Sequence, residues 1–432
     1  MHKADVIVIG AGAAGLTAAR ALSNAQLHTV ILEARDRIGG RIFSLERPDC
    51  PVPIELGAEF VHGSPPQLCA VIREAGVETI VVGANHISID PQDSISNRGN
   101  LETIWETMHE LDAPDTPDCS FTEFIARHEF DKRAAISATN FVEGFNAARA
   151  ELISSKSVLL ANQASAEIHG EEAQFRLKQP YSRIADALLN QCNNKHLDLH
   201  LNAPVKQVKW NDGEVICTTG EGITFAAKSA VITLPLSILQ KKTVSFEPTL
   251  QEKEEALSLL EMGDVQRIFF QFRSQFWDHH TVNGRNLSKA SFIHGGEAPF
   301  RTWWTLEPTK APIMIAWNAG ATYVEGVSED SLVSLALQQL ATMLQLSVEK
   351  LRAELVNHWF HDWHNDPYSV GAYSYCRVGG LYAPCTLAEP LKHTLFFAGE
   401  ATDWHGHIGT VHAAIDSGER AAIECKAALA NR

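Results

Sequence analysis

The sequence predicts an α/β fold in which a Rossmann-like dinucleotide-binding domain is interleaved with a second domain of mixed helices and sheet. Three observations carry this. The apolar run Ala4 to Ile9 leads straight into Gly10-Ala11-Gly12-Ala13-Ala14-Gly15, a G-x-G-x-x-G turn that opens an Ala/Leu-rich stretch. A second apolar run, His28 to Leu32, follows and ends on the acid Glu33. Strand-like runs return in mid-chain and near the end, so the first domain is assembled from distant pieces.

Each early element has a physical reason. Gly10 permits a tight turn, Gly12 lets the backbone approach a pyrophosphate, and Gly15 lets a helix, Ala13 to Asn24, pack on the strand. The N-terminus of that helix faces the phosphates, with Ala14 in its first turn, and Glu33 accepts hydrogen bonds from an adenosine ribose. A loop with Gly39-Gly40-Arg41 and a short strand at Ile54 to Ala58 come next. From about residue 64 to 160 the apolar spacing is helical, as in Gln67 to Ala75 and Phe121 to Ala126. Within it, Gly83 to Glu102 is polar and Gly/Asn/Ser-rich and reads as a long loop.

Strand patterns return at Leu197 to Leu201, Val205 to Trp210, Val215 to Thr218 and Ala230 to Leu234, with Asn211-Asp212-Gly213 as a hairpin turn. Alternation at Val265 to Phe272, Phe300 to Thr305 and Ile313 to Trp317 predicts a second sheet. Trp303 and Trp304 are adjacent on it, so at most one faces a pocket and the other belongs to the core. A Leu-rich helix, Asp330 to Gln345, then a buried strand from Leu395 that ends in Gly399-Glu400, and a helix from about Gly409 to Leu429 complete the chain.

With 432 residues, 45% hydrophobic and 20% charged, the composition is that of an ordinary globular protein of two or three domains. A formal charge of −16 argues against nucleic acid or an anionic membrane surface as a partner. Eight cysteines are scattered with no C-x-x-C pair and no zinc-type spacing, which predicts a reducing, cytoplasmic setting. No secretory signal and no membrane-spanning run of ~18 apolar residues is expected. His62, His405 and His407 lack metal-ligand spacing, so no metal site is expected.

The block Gly10 to Gly15, the run Glu33-Ala34-Arg35-Asp36-Arg37-Ile38-Gly39-Gly40-Arg41, the segment Glu55-Leu56-Gly57-Ala58-Glu59-Phe60-Val61-His62-Gly63 and the terminal Phe397-Ala398-Gly399-Glu400 together resemble the flavin-containing amine oxidases. The resemblance covers essentially the whole chain. His62-Gly63 and Thr410-Val411-His412 are most similar to the branch of polyamine oxidases and lysine-specific histone demethylases. It implies FAD, and assigns 1–66, 185–240 and 388–432 to the FAD-binding domain and 67–184 and 241–387 to a substrate-binding domain. It places Glu33 and Ala34 at the adenosine, Arg35 and Arg41 at the pyrophosphate or flavin side, Gly57, Ala58 and Glu59 along the isoalloxazine, and Val205 at the adenine. Gly40, Gly399 and Glu400 adjoin the ribityl-pyrophosphate region. Thr410 and Val411 start a helix whose N–H groups stabilise charge on the reduced flavin. Trp363 packs near the flavin, and Tyr373 belongs to an aromatic wall that attracts an amine through its π-face. Covalent relatives carry cysteine where this chain has Ala372, so the FAD is expected to be non-covalent; Cys376, four residues on, does not substitute.

Arg267 is the main departure. Many relatives have lysine there, reaching flavin N5 through a water, and arginine, unlike lysine, effectively never deprotonates. A fixed cation would stabilise anionic reduced flavin or pair with a substrate carboxylate, and would repel an ammonium group. The other reading is that Arg267 pairs with an acid elsewhere, or that the alignment slips by one residue. His405 and His407 stand where relatives commonly place an aromatic; they and His62 are candidate proton acceptors or solvated loop residues. The resemblance thus implies oxidation of a C–N bond in an amine or polyamine by hydride transfer to flavin N5, oxygen being the acceptor and hydrogen peroxide the product, by a monomer or homodimer. The alternatives are a flavin dehydrogenase or desaturase with Arg267 as carboxylate clamp, and a non-catalytic flavin-loaded scaffold.

Overall fold

The computed structural model describes residues 2–90, 95–113, 115–168 and 174–432, with the backbone alone over 95–100. Its organising element is a five-stranded sheet in the order Leu197–His200, Thr29–Leu32, Val6–Ile9, Ser229–Ile232, Leu395–Phe397, parallel throughout. Val6–Ile9 and Thr29–Leu32 are buried at every position, as strands covered on both faces must be, and so read as continuous apolar runs. Their register, Val6 opposite Thr29 through Ile9 opposite Leu32, delivers Gly10 and Glu33 side by side at the carboxyl edge. In an open α/β sheet that edge is where a ligand crevice forms.

One face of the sheet is covered by the helices Ala13–Asn24 and Val411–Ala430, which bury Leu16, Leu22 and Ile415 against Val6, Val8 and Val231. They cross closely because Gly418 has no Cβ: one built there would lie 2.3 Å from the Ala14 carbonyl oxygen. The other face packs Ile7, Ile9 and Val30 on Val208, Trp210 and Phe225 of a second sheet, built around Val205–Asn211 and Glu214–Thr219. Those two strands join through Asp212-Gly213, with Asn211 opposite Glu214 and Gly213 at φ +73°, the left-handed conformation such a hairpin requires.

A six-stranded sheet, ordered Leu355–Phe360, Val265–Phe272, Ile313–Ala319, Thr302–Thr305, Phe292–His294, His86–Ser88, forms the opposite side of the molecule. The strand Val265–Phe272 does not have one wet face: all eight residues are buried. Ile268 and Phe270 pack with Trp303 under the helix Glu329–Leu344, and Phe269 packs with Trp304 and Ile315 on the other side. Arg267 lies between two core strands for that reason. A helical layer, including Phe121–Arg127, Lys132–Asn146 and Ser155–Ile168, closes over this region. Among the described residues no single helix is long and apolar enough to cross a membrane.

One expectation is corrected. Gly83 to Glu102 is not one loop: His86–Ser88 is the sixth strand, parallel to Phe292–His294, and a helix begins at Ile95, with 91–94 outside the described residues. A three-residue, half-exposed edge strand carries no apolar alternation to read. Leu68, Val71 and Ile72 of the helix Pro66–Glu74 join the core of the parallel sheet, and Leu250, Ala256 and Leu257 join that on its other face.

The helix crossing is testable at Gly418. Alanine is the better helix former by ~1 kcal/mol, whereas overpacking costs ~1–3 kcal/mol. Because the obstructing atom is backbone, Gly418→Ala is expected to lower Tm by a few degrees. Gly144→Ala, in the helix Lys132–Asn146 with open space around the added Cβ, is expected to hold or raise it. Thermal unfolding of the two variants checks the sign.

Candidate active site

A cavity of about 2150 Å³ runs from the carboxyl edge of the parallel sheet to the six-stranded sheet. Its inner end is built from the G-x-G-x-x-G turn. Gly10 sits at φ +109°, and a Cβ on Gly15 would lie 2.0 Å from the Gly10 carbonyl oxygen, so both glycines are required by the turn itself. Gly12 differs: a Cβ there would meet protein only at 4.0 Å and would project into the cavity. It is the N-cap of Ala13–Asn24, with no side-chain cap and no acid in the first turn. Uncapped helix N–H groups beside a space that a side chain would fill make a cradle for phosphate oxygens. The residues thus fit a dinucleotide such as FAD.

The flanking residues complete this end. Glu33, 5% exposed, accepts the N–H groups of Ala11 at 2.7 Å and Arg35 at 2.9 Å. Burial pushes its carboxyl up from the ordinary range despite those bonds. Ala34 and Gly40 line the cavity; Gly40 is at φ +58°, where a Cβ would press on the Gly12 Cα at 3.3 Å. Val205 lines it where the strand register shifts between Val205 and Gln207. Gly399, at φ +136°, has open space where a Cβ would go. Thr410 caps the helix Val411–Ala430 by accepting the Ala413 N–H, so this helix, too, turns its N-terminus to the cavity.

The inner arginines line the cavity and are also held by acids. Arg35 gives a two-pronged hydrogen bond to Asp366, both contacts 2.7 Å, and a third to Ser369 at 2.9 Å. Burial would raise the Asp366 carboxyl, but hydrogen bonds from His361 and Arg35 overrule it and hold it well below its ordinary value. Arg41 donates to Glu400 at 2.7 Å and to the Ala372 carbonyl at 2.8 Å, and Glu400 also accepts from Ser374 Oγ at 2.5 Å and Gly409 N at 2.9 Å. Each expected phosphate or flavin cation therefore carries a carboxylate of its own.

Arg267 follows the same rule. Its side chain is 5% exposed, donating one Nη to the Gly57 carbonyl at 2.8 Å and the other to Glu59. Glu59 also accepts Arg176 Nε at 2.5 Å and Trp304 Nε1 at 3.2 Å. Burial opposes its charge, but the two guanidiniums prevail and hold the Glu59 carboxyl below its ordinary value. Glu59 is thus a partner of arginines in the wall, and Arg267, which lines the cavity, shares that carboxylate with Arg176. Gly57 has a structural reason too: a Cβ there would meet the Arg41 carbonyl oxygen at 1.9 Å. Ala58 donates its N–H to that same oxygen at 3.2 Å.

Beyond this pair the wall is aromatic. Tyr373 lines the cavity with its hydroxyl donated to the Phe145 carbonyl at 2.8 Å, and burial pushes the phenol up, so it stays neutral. Trp363 is anchored through Nε1 to the Leu56 carbonyl at 2.8 Å. Trp304 and Trp317 line the cavity while Trp303 is fully buried, as the strand alternation requires. His62 lines it with Nδ1 3.3 Å from Gln174 Nε2, and His407 lines it near Thr410. His405 is not among the lining residues; it packs on Trp404. The sequence reading missed Asp366, although it stands in the Trp363 motif, and Arg176, the buried basic residue of the strand Gln174–Leu177.

The chain is similar to known proteins in sequence and in fold. A family model described as flavin containing amine oxidoreductase matches residues 13–425. The chain is 30% identical to polyamine oxidase 3 of Oryza sativa subsp. japonica, over 100% of this chain and 91% of that protein. It is 28% identical to human lysine-specific histone demethylase 2, over 99% of this chain and 54% of that longer protein. Among solved structures, putrescine oxidase bound to putrescine superposes with a TM-score of 0.83 at 20% identity, covering 98% of this chain and 99% of that one. Cyclohexylamine oxidase from Brevibacterium oxydans IH-35A superposes with a TM-score of 0.80 at 18% identity, covering 99% of each.

Glu55, behind the Arg267–Glu59 pair, gives a pH prediction. Burial pushes its carboxyl up to about 7 despite contacts from Ser44 Oγ and Tyr181 N. An unfolded glutamate titrates near ~4.3, so the fold favours the protonated form. Its contribution is full below that value and lost as pH rises through about 7, on the order of 3–4 kcal/mol. Glu55→Gln keeps an acceptor for Tyr181 and has no proton to lose. Its Tm is expected to fall less than the parent's between pH 5 and pH 8.5; equal falls contradict the assignment.

Proposed function

Since the chain belongs to the flavin-containing amine oxidoreductase family, we propose that it oxidises a C–N bond of an amine, with FAD held non-covalently. When bound, FAD supplies the hydride acceptor at N5 and a route for the electrons to dioxygen, giving hydrogen peroxide; water then hydrolyses the imine. The observation that carries the reading is the pairing of Arg267 with Glu59. It holds the Arg267 guanidinium against a carboxylate, which weakens its opposition to an ammonium group and its use as a carboxylate clamp.

The chain's own residues supply binding, orientation and proton handling. The N-terminus of Ala13–Asn24 receives the pyrophosphate, and that of Val411–Ala430 favours negative charge on the reduced cofactor. Ala372 stands where covalent attachment would need a thiol. The ring of Tyr373 offers a π-face to a cationic amine, an interaction of ~0.5–2 kcal/mol. With its hydroxyl committed to Phe145, Tyr373 orients and does not take the proton. An amine must lose its proton before hydride can leave the adjacent carbon, and His62 and His407 are the lining groups whose chemistry suits accepting it near neutral pH. Trp363, tied to Leu56, holds the loop that carries Gly57 to Glu59. We place the protein in the reducing cytoplasm, on the strength of its eight unpaired cysteines.

The test is flavin absorbance of the purified protein mixed anaerobically with simple amines, polyamines, amino acids and amine-free carboxylates, then opened to air. The reading expects an amine to bleach the flavin and air to restore it with peroxide. Bleaching only by compounds without an amine, or by none, contradicts it. Tyr373→Phe is expected to keep the bleaching rate within about threefold, and Tyr373→Ala to lose roughly 10- to 100-fold, since the ring and its contacts carry ~1.5–3 kcal/mol.

A further inference from the structure

The helix Lys132–Asn146 turns large apolar side chains to the cavity. Ile136, Phe141 and Phe145 all line it, and they are 60%, 51% and 49% exposed. With Ser137, Asn140 and Gly144 they make one face of the helix, at the four-residue spacing of a single stripe. Another face, Ala134, Ala138 and Val142, is buried in the helical layer, so the core does not account for the three that face the cavity. Large apolar groups left half exposed together mark a surface that something apolar covers.

The stripe is continuous with the aromatic wall. Tyr373 donates its hydroxyl to the Phe145 carbonyl at 2.8 Å, and Trp317 donates Nε1 to the Gly144 carbonyl at 2.9 Å, so both wall residues are tied to the end of this helix. Phe145 stacks on Phe141, centroids 5.5 Å apart and planes 10° from parallel. Trp105 meets Phe141, and His62 meets Phe145, in T-shaped contacts, each with centroids 5.7 Å apart. The row therefore leads from Tyr373 through Phe145 to Phe141, one helical turn further out, and on to Ile136.

Charge and ring geometry decide what covers it. An ammonium group seeks a carboxylate, a free carbonyl or an aromatic face. Glu143, the only acid of the helix, accepts the Ala150 N–H and is not a lining residue. The carbonyls at the helix end are taken: that of Val142 by Asn146 Nδ2, that of Glu143 by the Ala147 and Ala148 N–H groups, and those of Gly144 and Phe145 by the two wall aromatics. Asn140 Oδ1, on the same face, accepts Arg301 Nη1. Phe141 and Phe145 each spend one face on the other, which halves the π-surface open to a cation. A hydrocarbon chain needs none of these groups, and gains about fourfold in affinity for each methylene it takes out of water.

We propose that this stripe is a subsite for an apolar tail: Phe145, Phe141 and Ile136 receive the alkyl or arylalkyl chain of an amine whose nitrogen end lies at Tyr373. The proposal rests on the amine-oxidation reading and narrows it to monoamines with a long apolar chain, in preference to diamines and polyamines.

The experiment mixes the holoenzyme anaerobically with butylamine, hexylamine, octylamine, 4-phenylbutylamine and 1,8-diaminooctane, and measures the second-order rate constant of flavin bleaching at low substrate. The constant is expected to rise about tenfold or more from butylamine to octylamine, with 4-phenylbutylamine also above butylamine, and octylamine is expected to exceed 1,8-diaminooctane by about tenfold, because the second ammonium must leave water without a partner. Phe141→Ala is expected to cut the octylamine-to-butylamine ratio by about fivefold, whereas Phe141→Leu, which keeps an apolar group there, holds it within about twofold. Ile136→Gln, at an exposed position outside the core, is expected to fold as the parent does and to cut the ratio by about threefold. A ratio near one, a diamine as fast as octylamine, or a ratio unmoved by both Phe141→Ala and Ile136→Gln overturns the subsite while leaving amine oxidation standing. If no amine of the series bleaches the flavin, the amine reading fails and the subsite falls with it.

Discussion

Buried charge must be paired, and in this protein the pairing joins distant parts of the chain. Arg35 meets Asp366 across 331 residues, Arg41 meets Glu400 across 359, and Arg267 meets Glu59 across 208. Leaving one guanidinium unpartnered inside the molecule would cost several kcal/mol, comparable to a large part of a domain's net stability. The three pairs therefore tie the segment from Glu33 to Glu59 to an interior strand of the six-stranded sheet and to the loops before the last helix. Those are the walls of the cavity, so the same bonds that meet the electrostatic requirement also set its shape.

Pairing also divides the work of recognition. With the inner guanidiniums committed to carboxylates, phosphate oxygens are left to the backbone N–H groups at the start of Ala13–Asn24, where Gly12 leaves room. The reacting centre is left to aromatic faces and to histidines, which tolerate an ammonium group and can take its proton. A net charge of −16 over the whole chain says little about any of this, because the charge that matters is local.

What was legible in the sequence was what local chemistry decides. The turn Gly10 to Gly15, the acid after the second strand, the hairpin at Asp212-Gly213 and the helix caps are written in neighbouring residues, and the elements form where those residues place them. The partners of Arg267 and Arg35 were not legible, since nothing near either residue names an acid hundreds of positions away. The edge strand His86–Ser88 escaped because its stability comes from pairing with Phe292–His294 and not from an apolar pattern of its own. Val265–Phe272 was legible as a strand; that its polar residues are buried depended on what packs on its two faces.

The most direct test of the pairing constraint is a double-mutant cycle on Glu59 and Arg267, read by thermal or denaturant unfolding. Glu59→Gln leaves Arg267 and Arg176 without their carboxylate and is predicted to cost ~3–5 kcal/mol, whereas Glu59→Gln combined with Arg267→Met is predicted to recover ~2 kcal/mol or more of that loss. Strictly additive effects, or a Glu59→Gln protein as stable as the parent, would show that the buried pair does not hold the site together and would contradict the account.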